Sequence, residues 1–339
     1  MASLRALSFT ELQALAAEMG WEPYRARQVW RWLWTRGATA IEAMTDLSLD
    51  RRAALAERFT LGAPELARRL DDPDGTSKFT FRLGDGAVIE SVFIPDRDRR
   101  TICVSSQAGC PLGCRFCATG ALGFRRDLAW HEIAGQVADV IRLAGERPTN
   151  IVFMGMGEPF LNYDAAIEAV RVVNAADAVG IGARHITVST AGVIEGIRRF
   201  TGLPLQVKLA VSLNAALPEL RAELMPVARA NPLPELVAAV RDYVEHTGRR
   251  VTFEYVLLAG VNDRPADAAA LAALLRGVGC KVNLIPFNPF PGAAYEAPTE
   301  TSVQRFAELL YPRLPAVTVR RSKGPTIAAA CGQLAARDA

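Results

Sequence analysis

The chain has no run of 18 apolar residues, and its opening, MASLRALSFTELQALAAEMGW, has no positive segment followed by an apolar one. These absences argue against a helical membrane span and a secretory leader, so the expectation is a soluble, cytoplasmic protein with no membrane partner. A net charge of only +3 excludes a polycationic tail protein. Lysine is scarce, with 4 against 35 arginines, and histidine numbers 3. Arginine-rich usage suits bidentate phosphate contacts, and a GC-rich genome produces it equally. There is no internal repeat and no low-complexity segment beyond alanine-rich helices such as ADAAALAALL.

What is present falls into three parts. Residues 1–70 carry helical signals: Ser8 precedes a helical pattern with Glu11 three residues on, and PYRARQVWRWLWTRG puts Val29, Trp30, Leu33 and Trp34 on one face. Residues 71–100 hold turn chemistry (DDPDGTS) and two alternating strands, KFTFRL and AVIESVFIP, joined through GDG as a hairpin. Residues 101–339 alternate strand-like runs (TICVS, TNIVFMGMG, RHITVST, LQVKLAVSLN, VTFEYVLLAG, CKVNLIPFN) with helical stretches. Six strands with helices between them predict an α/β fold, a parallel sheet rolled as a partial (β/α)6 TIM-like barrel. Chemistry in such barrels gathers after the C-terminal ends of strands. The cysteines, MGMGEP, Ser189, Asn214 and Asn288 all fall there.

Three of six cysteines lie within eight residues, as Cys110, Cys114 and Cys117 in SSQAGCPLGCRFCATG. In a reducing compartment clustered cysteines indicate a metal or redox catalysis. Zinc sites usually close four ligands, often in two pairs; this C-x3-C-x2-C run offers three. Three thiolates leave one iron of a cubane without a protein ligand, free to hold a small molecule.

C-x3-C-x2-C after a strand is the signature of radical S-adenosylmethionine (SAM) enzymes. With CVSSQAGC, GCRFCATG, MGMGEPFLN, NLIPFNPFPG and AACGQL in matching order from about Lys78 to Leu334, the chain resembles the RlmN and Cfr family of radical-SAM RNA adenine methyltransferases. The helical N-terminal region resembles that family more weakly. The resemblance implies that Cys110, Cys114 and Cys117 ligate a 4Fe–4S cluster. It also implies that Gly157, Glu158, Ser189, the Ser212-Leu213-Asn214 run and Asn288 contact SAM, with the Glu158 carboxylate accepting from its ammonium. Read alone, Ser189 and Asn288 are turn residues.

The same resemblance makes Cys331 the methyl-carrying cysteine and Cys103 the resolving one, whereas Cys280 matches nothing. Read alone, each is a small buried hydrophobe, and Cys280 keeps that reading. Two SAM molecules are implied per turnover. One methylates Cys331; the other supplies the radical that activates this methyl for addition to adenine carbon 2, which is electrophilic and closed to ordinary methylation. A base then removes the ring proton, and Cys103 attacks the Cys331 sulfur to release the product as a disulfide forms. The family implies Glu90 as that base, on strand parity with Val88, Val92 and Ile94 and so on an otherwise apolar face.

The implied partners are 23S ribosomal RNA, transfer RNA and an external electron donor of the flavodoxin or ferredoxin type. RNA contact is expected from Arg25, Arg27, Arg31 and Arg36 of the N-terminal region and from Arg97, Arg99 and Arg100 in PDRDRR. Trp30 and Trp34 read as core, and Trp32 stays open. Lys323 and Thr326 in SKGPT, Asn214 in SLN and the spelling RRDLAWHE depart from the family's usual pattern. Three readings compete: a carbon 2 methyltransferase, favoured by Pro159 in GEP; a Cfr-type carbon 8 methyltransferase; and a non-enzymatic, zinc-bearing RNA-binding protein.

Overall fold

The computed structural model describes residues 1–335. Its N-terminal part is helical: α1 (Phe9–Glu18), α2 (Tyr24–Trp34) and α3 (Leu49–Arg58). Ser8 and Glu11 close the expected capping box, satisfying two N–H groups that the first helical turn leaves free. Helix α2 buries Val29, Trp30, Leu33 and Trp34. Trp32 is half-buried, donates its indole N–H to Asp46 and lies under the Arg36 guanidinium.

The main body is built on one ten-stranded sheet. Its strands are β1 (Glu65–Asp71), β2 (Ser77–Arg82), β3 (Val88–Asp96), β4 (Arg99–Cys103), β5 (Asn150–Phe153), β6 (Ile186–Thr190), β7 (Lys208–Ser212), β8 (Val251–Leu257), β9 (Cys280–Pro286) and β10 (Val317–Val319), in chain order across the sheet. Pairing is antiparallel from β1 to β4 and parallel from β4 to β10. The six expected strands are therefore β4 to β9, and the expected hairpin is β2–β3. Two strands go beyond that expectation. β1 is an almost wholly exposed edge, so its sequence shows no apolar alternation, and β10 has three residues.

Helices α4 (Trp130–Ala144), α5 (Tyr163–Asn174), α6 (Ile194–Thr201), α7 (Leu233–Thr247), α8 (Pro265–Leu274) and α9 (Glu300–Leu310) follow the parallel strands and cover the outer face. On β8 the residues Val251, Phe253, Tyr255 and Leu257 are buried, and Tyr255 stacks on Phe306 of α9. Thr252, Glu254 and Val256 point the other way, into the barrel lumen, because side chains alternate along a strand. The N-terminal helices dock through a buried ion pair, Arg5 Nη1 to Asp139 Oδ2 at 2.6 Å, and through Trp34 against Trp130. Among the described residues no helix is long and apolar enough to cross a membrane.

Candidate active site

Because β4 to β9 are parallel, their C-terminal ends form one rim. The cysteine loop rises from it after the short strand 107–109, whose Gly109 has φ +76° and sits where a Cβ would come 2.0 Å from the Gly123 carbonyl oxygen. Cys110 N–H donates to Gly123 at 2.8 Å and Arg115 N–H to Leu224 at 3.0 Å. All three loop thiols are free and partly shielded. Burial pushes Cys110 up to about 12, and the nearby Cys117 and Glu158 charges act in the same direction. Burial also raises Cys114, reinforced by Cys117 and Cys110.

Three thiolates this close repel one another unless a positively charged centre neutralises them, and soft sulfur donors favour iron–sulfur clusters or zinc. Among the described residues no three His, Cys, Asp or Glu side chains converge as ligands of a single ion. A cubane spreads its ligands over separate iron corners, so the donor set fits that group.

Beside this loop, Gly157 has φ +96°, and a Cβ there would lie 2.5 Å from Gln107 Cβ. Glycine is what lets the strand-end loop lie against the segment leading to the cysteines. Gln107 accepts from Glu158 N–H at 2.8 Å. The Glu158 carboxylate accepts from Phe160 N–H at 2.9 Å and Ala191 N–H at 2.6 Å, tying the β5 loop to the β6 loop. Burial outweighs these bonds and pushes Glu158 up to about 7. Ser189 is buried at the end of β6.

Leu213 is wholly buried, and Ser212 and Leu213 present their carbonyls to Arg221. Asn214, at φ +58°, accepts from Val256 N–H at 2.9 Å and points its amide nitrogen at Met225 sulfur. Both ends of its side chain are thus taken up within the protein. Arg221, buried and bonded to the carbonyls of Ala191 and Leu213, binds two of these loops together. The sequence gives no local sign of it, since its short helix 218–224 reads as a surface segment.

Cys103 and Cys331 line one cavity of about 100 Å³, together with Cys117, Thr119, Asn288 and Arg320. The C-terminal segment is fastened onto the cysteine loop: Ala118 N–H donates to Gly332 at 2.7 Å and Thr119 Oγ1 to Leu334 at 2.5 Å. Asn288 Nδ2 donates to the Cys331 carbonyl at 3.1 Å, and its oxygen accepts from Ser322. Burial, then the charge of Cys331, pushes the Cys103 thiol up to about 12. Arg320 is held well protonated chiefly by Cys331. Cys280 is fully buried at the start of β9, where burial raises its thiol to about 11, and does not line this cavity.

Glu90 is buried on β3, but its face is not purely apolar: Lys78 Nζ stands 3.1 Å from Oε1, and Ala335 N–H donates to Oε2 at 3.0 Å. Glu90 lies outside the residues that line the cysteine cavity, although its neighbour in this contact, Ala335, follows the lining residue Leu334. The departures in SKGPT are structurally accommodated. Lys323 pairs with Asp96 at 3.4 Å, and Thr326 donates its hydroxyl to Asp72 at 2.6 Å.

Residues 104–272 match the Radical SAM superfamily, and residues 2–61 match the Ribosomal RNA large subunit methyltransferase N-terminal domain. The dual-specificity RNA methyltransferase RlmN of Anaeromyxobacter dehalogenans is 48% identical over 98% of this chain and 91% of its own length. The probable RlmN of Thermosynechococcus vestitus is 47% identical over 96% of both chains. A solved radical SAM methyltransferase from Sphaerobacter thermophilus superposes with a TM-score of 0.96 at 47% identity, covering 99% of this chain and all of that one. The chain belongs to the RlmN family. It is a radical-SAM RNA methyltransferase, and its cofactors are a 4Fe–4S cluster and SAM.

An RlmN-family enzyme needs a surface for RNA. A trough of about 2050 Å³ opens at the N-terminal ends of the barrel strands, lined by ten arginine and lysine side chains against three carboxylates. It shares Met154, Arg320 and Lys323 with the cysteine cavity, so these side chains wall both. Of the expected arginines, Arg97 and Arg99 line it. In the N-terminal region, Arg25 is bound to Glu22, Gln28 and the Asp46 carbonyl, and Arg36 to Asp46. Arg27 and Arg31 are exposed.

Proposed function

We propose that this RlmN-family enzyme methylates carbon 2 of an adenosine in 23S ribosomal RNA and of the adenosine 3′ to the anticodon in transfer RNAs. The reading is supported above all by Cys103 and Cys331 facing one cavity, with Cys117 of the cysteine loop on its wall. Cys110, Cys114 and Cys117 would hold the cluster, and Gly157, Glu158, Ser189, Ser212, Leu213 and Asn288 would frame SAM. Asn214 would contribute through its backbone, its side chain being engaged elsewhere. Bound there, the cluster and SAM supply the methyl group and the one-electron chemistry.

The protein's own residues do the rest. Cys331 accepts the methyl group and carries it to the base, with Arg320 on the wall of the same cavity. Cys103 attacks the Cys331 sulfur once the base is joined to it; the S–S bond forms as the S–C bond breaks, the departing methylene carbon takes up the proton that the Cys103 thiol gives up and becomes the methyl group, and an external thiol reductant restores both thiols. Glu90 would take the proton from the ring carbon after the Ala335 N–H is withdrawn from its Oε2. RNA phosphates would lie along the basic trough, and the electron donor would be a flavodoxin- or ferredoxin-type protein.

Cys103→Ala tests the central assignment. A structural cysteine of this size would cost about 1 kcal/mol on truncation and leave turnover intact. A resolving cysteine stops the reaction at the covalent stage, so the variant purified from cells should carry nuclease-sensitive RNA joined through Cys331. Normal 2-methyladenosine formation with no adduct would overturn the two-cysteine assignment. Formation of 8-methyladenosine by the unaltered enzyme would overturn the choice of carbon 2.

A further inference from the structure

Strand β8 carries one lumen-facing acid, Glu254, which the roles assigned above leave unused. Below it Thr252 lines the basic trough, and above it Val256 packs in the apolar cluster that includes Cys114 and Cys117. Glu254 itself lines the trough, between these two neighbours on the strand.

The residue is only 6% exposed. Oε1 accepts from Asn283 Nδ2 at 3.2 Å, across the β8–β9 register, while Oε2 is buried with no partner among the described residues. Among the described residues no arginine or lysine makes an ion pair with it, although Arg320 and Lys281 are in electrostatic reach. Arg320 lines the cavity of Cys331 and Cys103 and also lines the trough with Glu254, and it feels the charge of all three. A buried oxygen left unpaired carries a full desolvation penalty. One that belongs to the wall of a basic trough is a vacant acceptor for a ligand donor.

Adenine supplies such a donor. Its exocyclic amine is on carbon 6, and carbon 2 lies on the same Watson–Crick edge, separated from carbon 6 by a single ring nitrogen. A base turned to present carbon 2 to Cys331 therefore presents its amine along the same edge. Enzymes that act on an extruded base read it by hydrogen bonds to this edge. Guanine, with a carbonyl at carbon 6, would set oxygen against oxygen here.

We propose that Glu254 is a specificity-determining residue whose free Oε2 accepts from the exocyclic amine of the target adenine. The proposal rests on the carbon 2 methyltransferase reading given above. It adds the residue that selects the base.

The test uses the reconstituted holoenzyme and two RNA hairpins that differ only in the target nucleotide, adenosine or purine riboside, the latter lacking the amine. Rates are normalised to the content of methylated Cys331, measured by peptide mass spectrometry. One hydrogen bond to a charged group corresponds to a preference of about 10- to 100-fold in kcat/KM for adenosine. Glu254→Gln should reduce that ratio to within about 3-fold, because the Asn283 Nδ2 donor takes the amide oxygen and leaves the nitrogen, which cannot accept, towards the ligand. Glu254→Asp, which withdraws the oxygen by one methylene, is the second variant and should narrow the ratio as well. Equal use of both hairpins by the unaltered enzyme, or an unchanged ratio in the substituted enzymes, would overturn the proposal. If the unaltered holoenzyme methylated Cys331 but neither hairpin, the substrate reading would fall and this inference with it.

Discussion

Lys78 and Glu90 form a buried ion pair on adjacent antiparallel strands, Nζ to Oε1 at 3.1 Å, with both residues under 9% exposed. Lys78 also donates to the Ala328 carbonyl at 3.3 Å, so the same ammonium anchors the segment that carries Cys331. Removing one partner of a buried pair leaves an uncompensated charge. Lys78→Met should cost about 3 kcal/mol in urea unfolding, and adding Glu90→Gln should recover part of it. Single variants that cost no more than a surface substitution would show that the pair carries no such weight.

Gly157 gives a prediction about cofactor binding. Gly157→Ala must place a methyl 2.5 Å from Gln107 Cβ at a φ of +96°, so the loop bearing Glu158 has to shift. SAM affinity, read by equilibrium dialysis, should fall at least about tenfold, whereas Gly113→Ala, with no atom within 4 Å of the added Cβ, keeps the loop packing despite its own positive φ of +62°.

Glu158 predicts a pH dependence. Its carboxyl is raised from 4.5 to about 7 by burial. Below about pH 4.5 the folded and unfolded chains both keep this proton. Between 4.5 and 7 the unfolded chain releases it while the folded one holds it, so stability falls as pH rises and levels off above 7. The loss is about 3 kcal/mol, at 1.36 kcal/mol per pH unit. Glu158→Gln should flatten that slope in urea titrations at pH 5 and 7.5, and a slope equal to that of the unaltered protein would refute the assignment.

The sequence by itself determined the chemistry's local parts. Cys110, Cys114 and Cys117 need only their spacing on one loop, and β4 to β9 are legible because apolar runs alternate with helical periods. The capping box at Ser8 and the core tryptophans of α2 are local for the same reason. Tertiary structure alone decided what lies across from what. It brought Cys331 to Cys103 through hydrogen bonds between the C-terminal segment and the cysteine loop, contacts of more than two hundred residues' separation with no periodic trace. It also covered Glu90 with Lys78 and Ala335, turned the Asn214 side chain into Val256 and Met225, and occupied Arg25 and Arg36 within the N-terminal helices. Periodicity fixes which face a side chain takes on its own helix or strand; which group from elsewhere meets it there is set by the packing of the whole sheet and its loops.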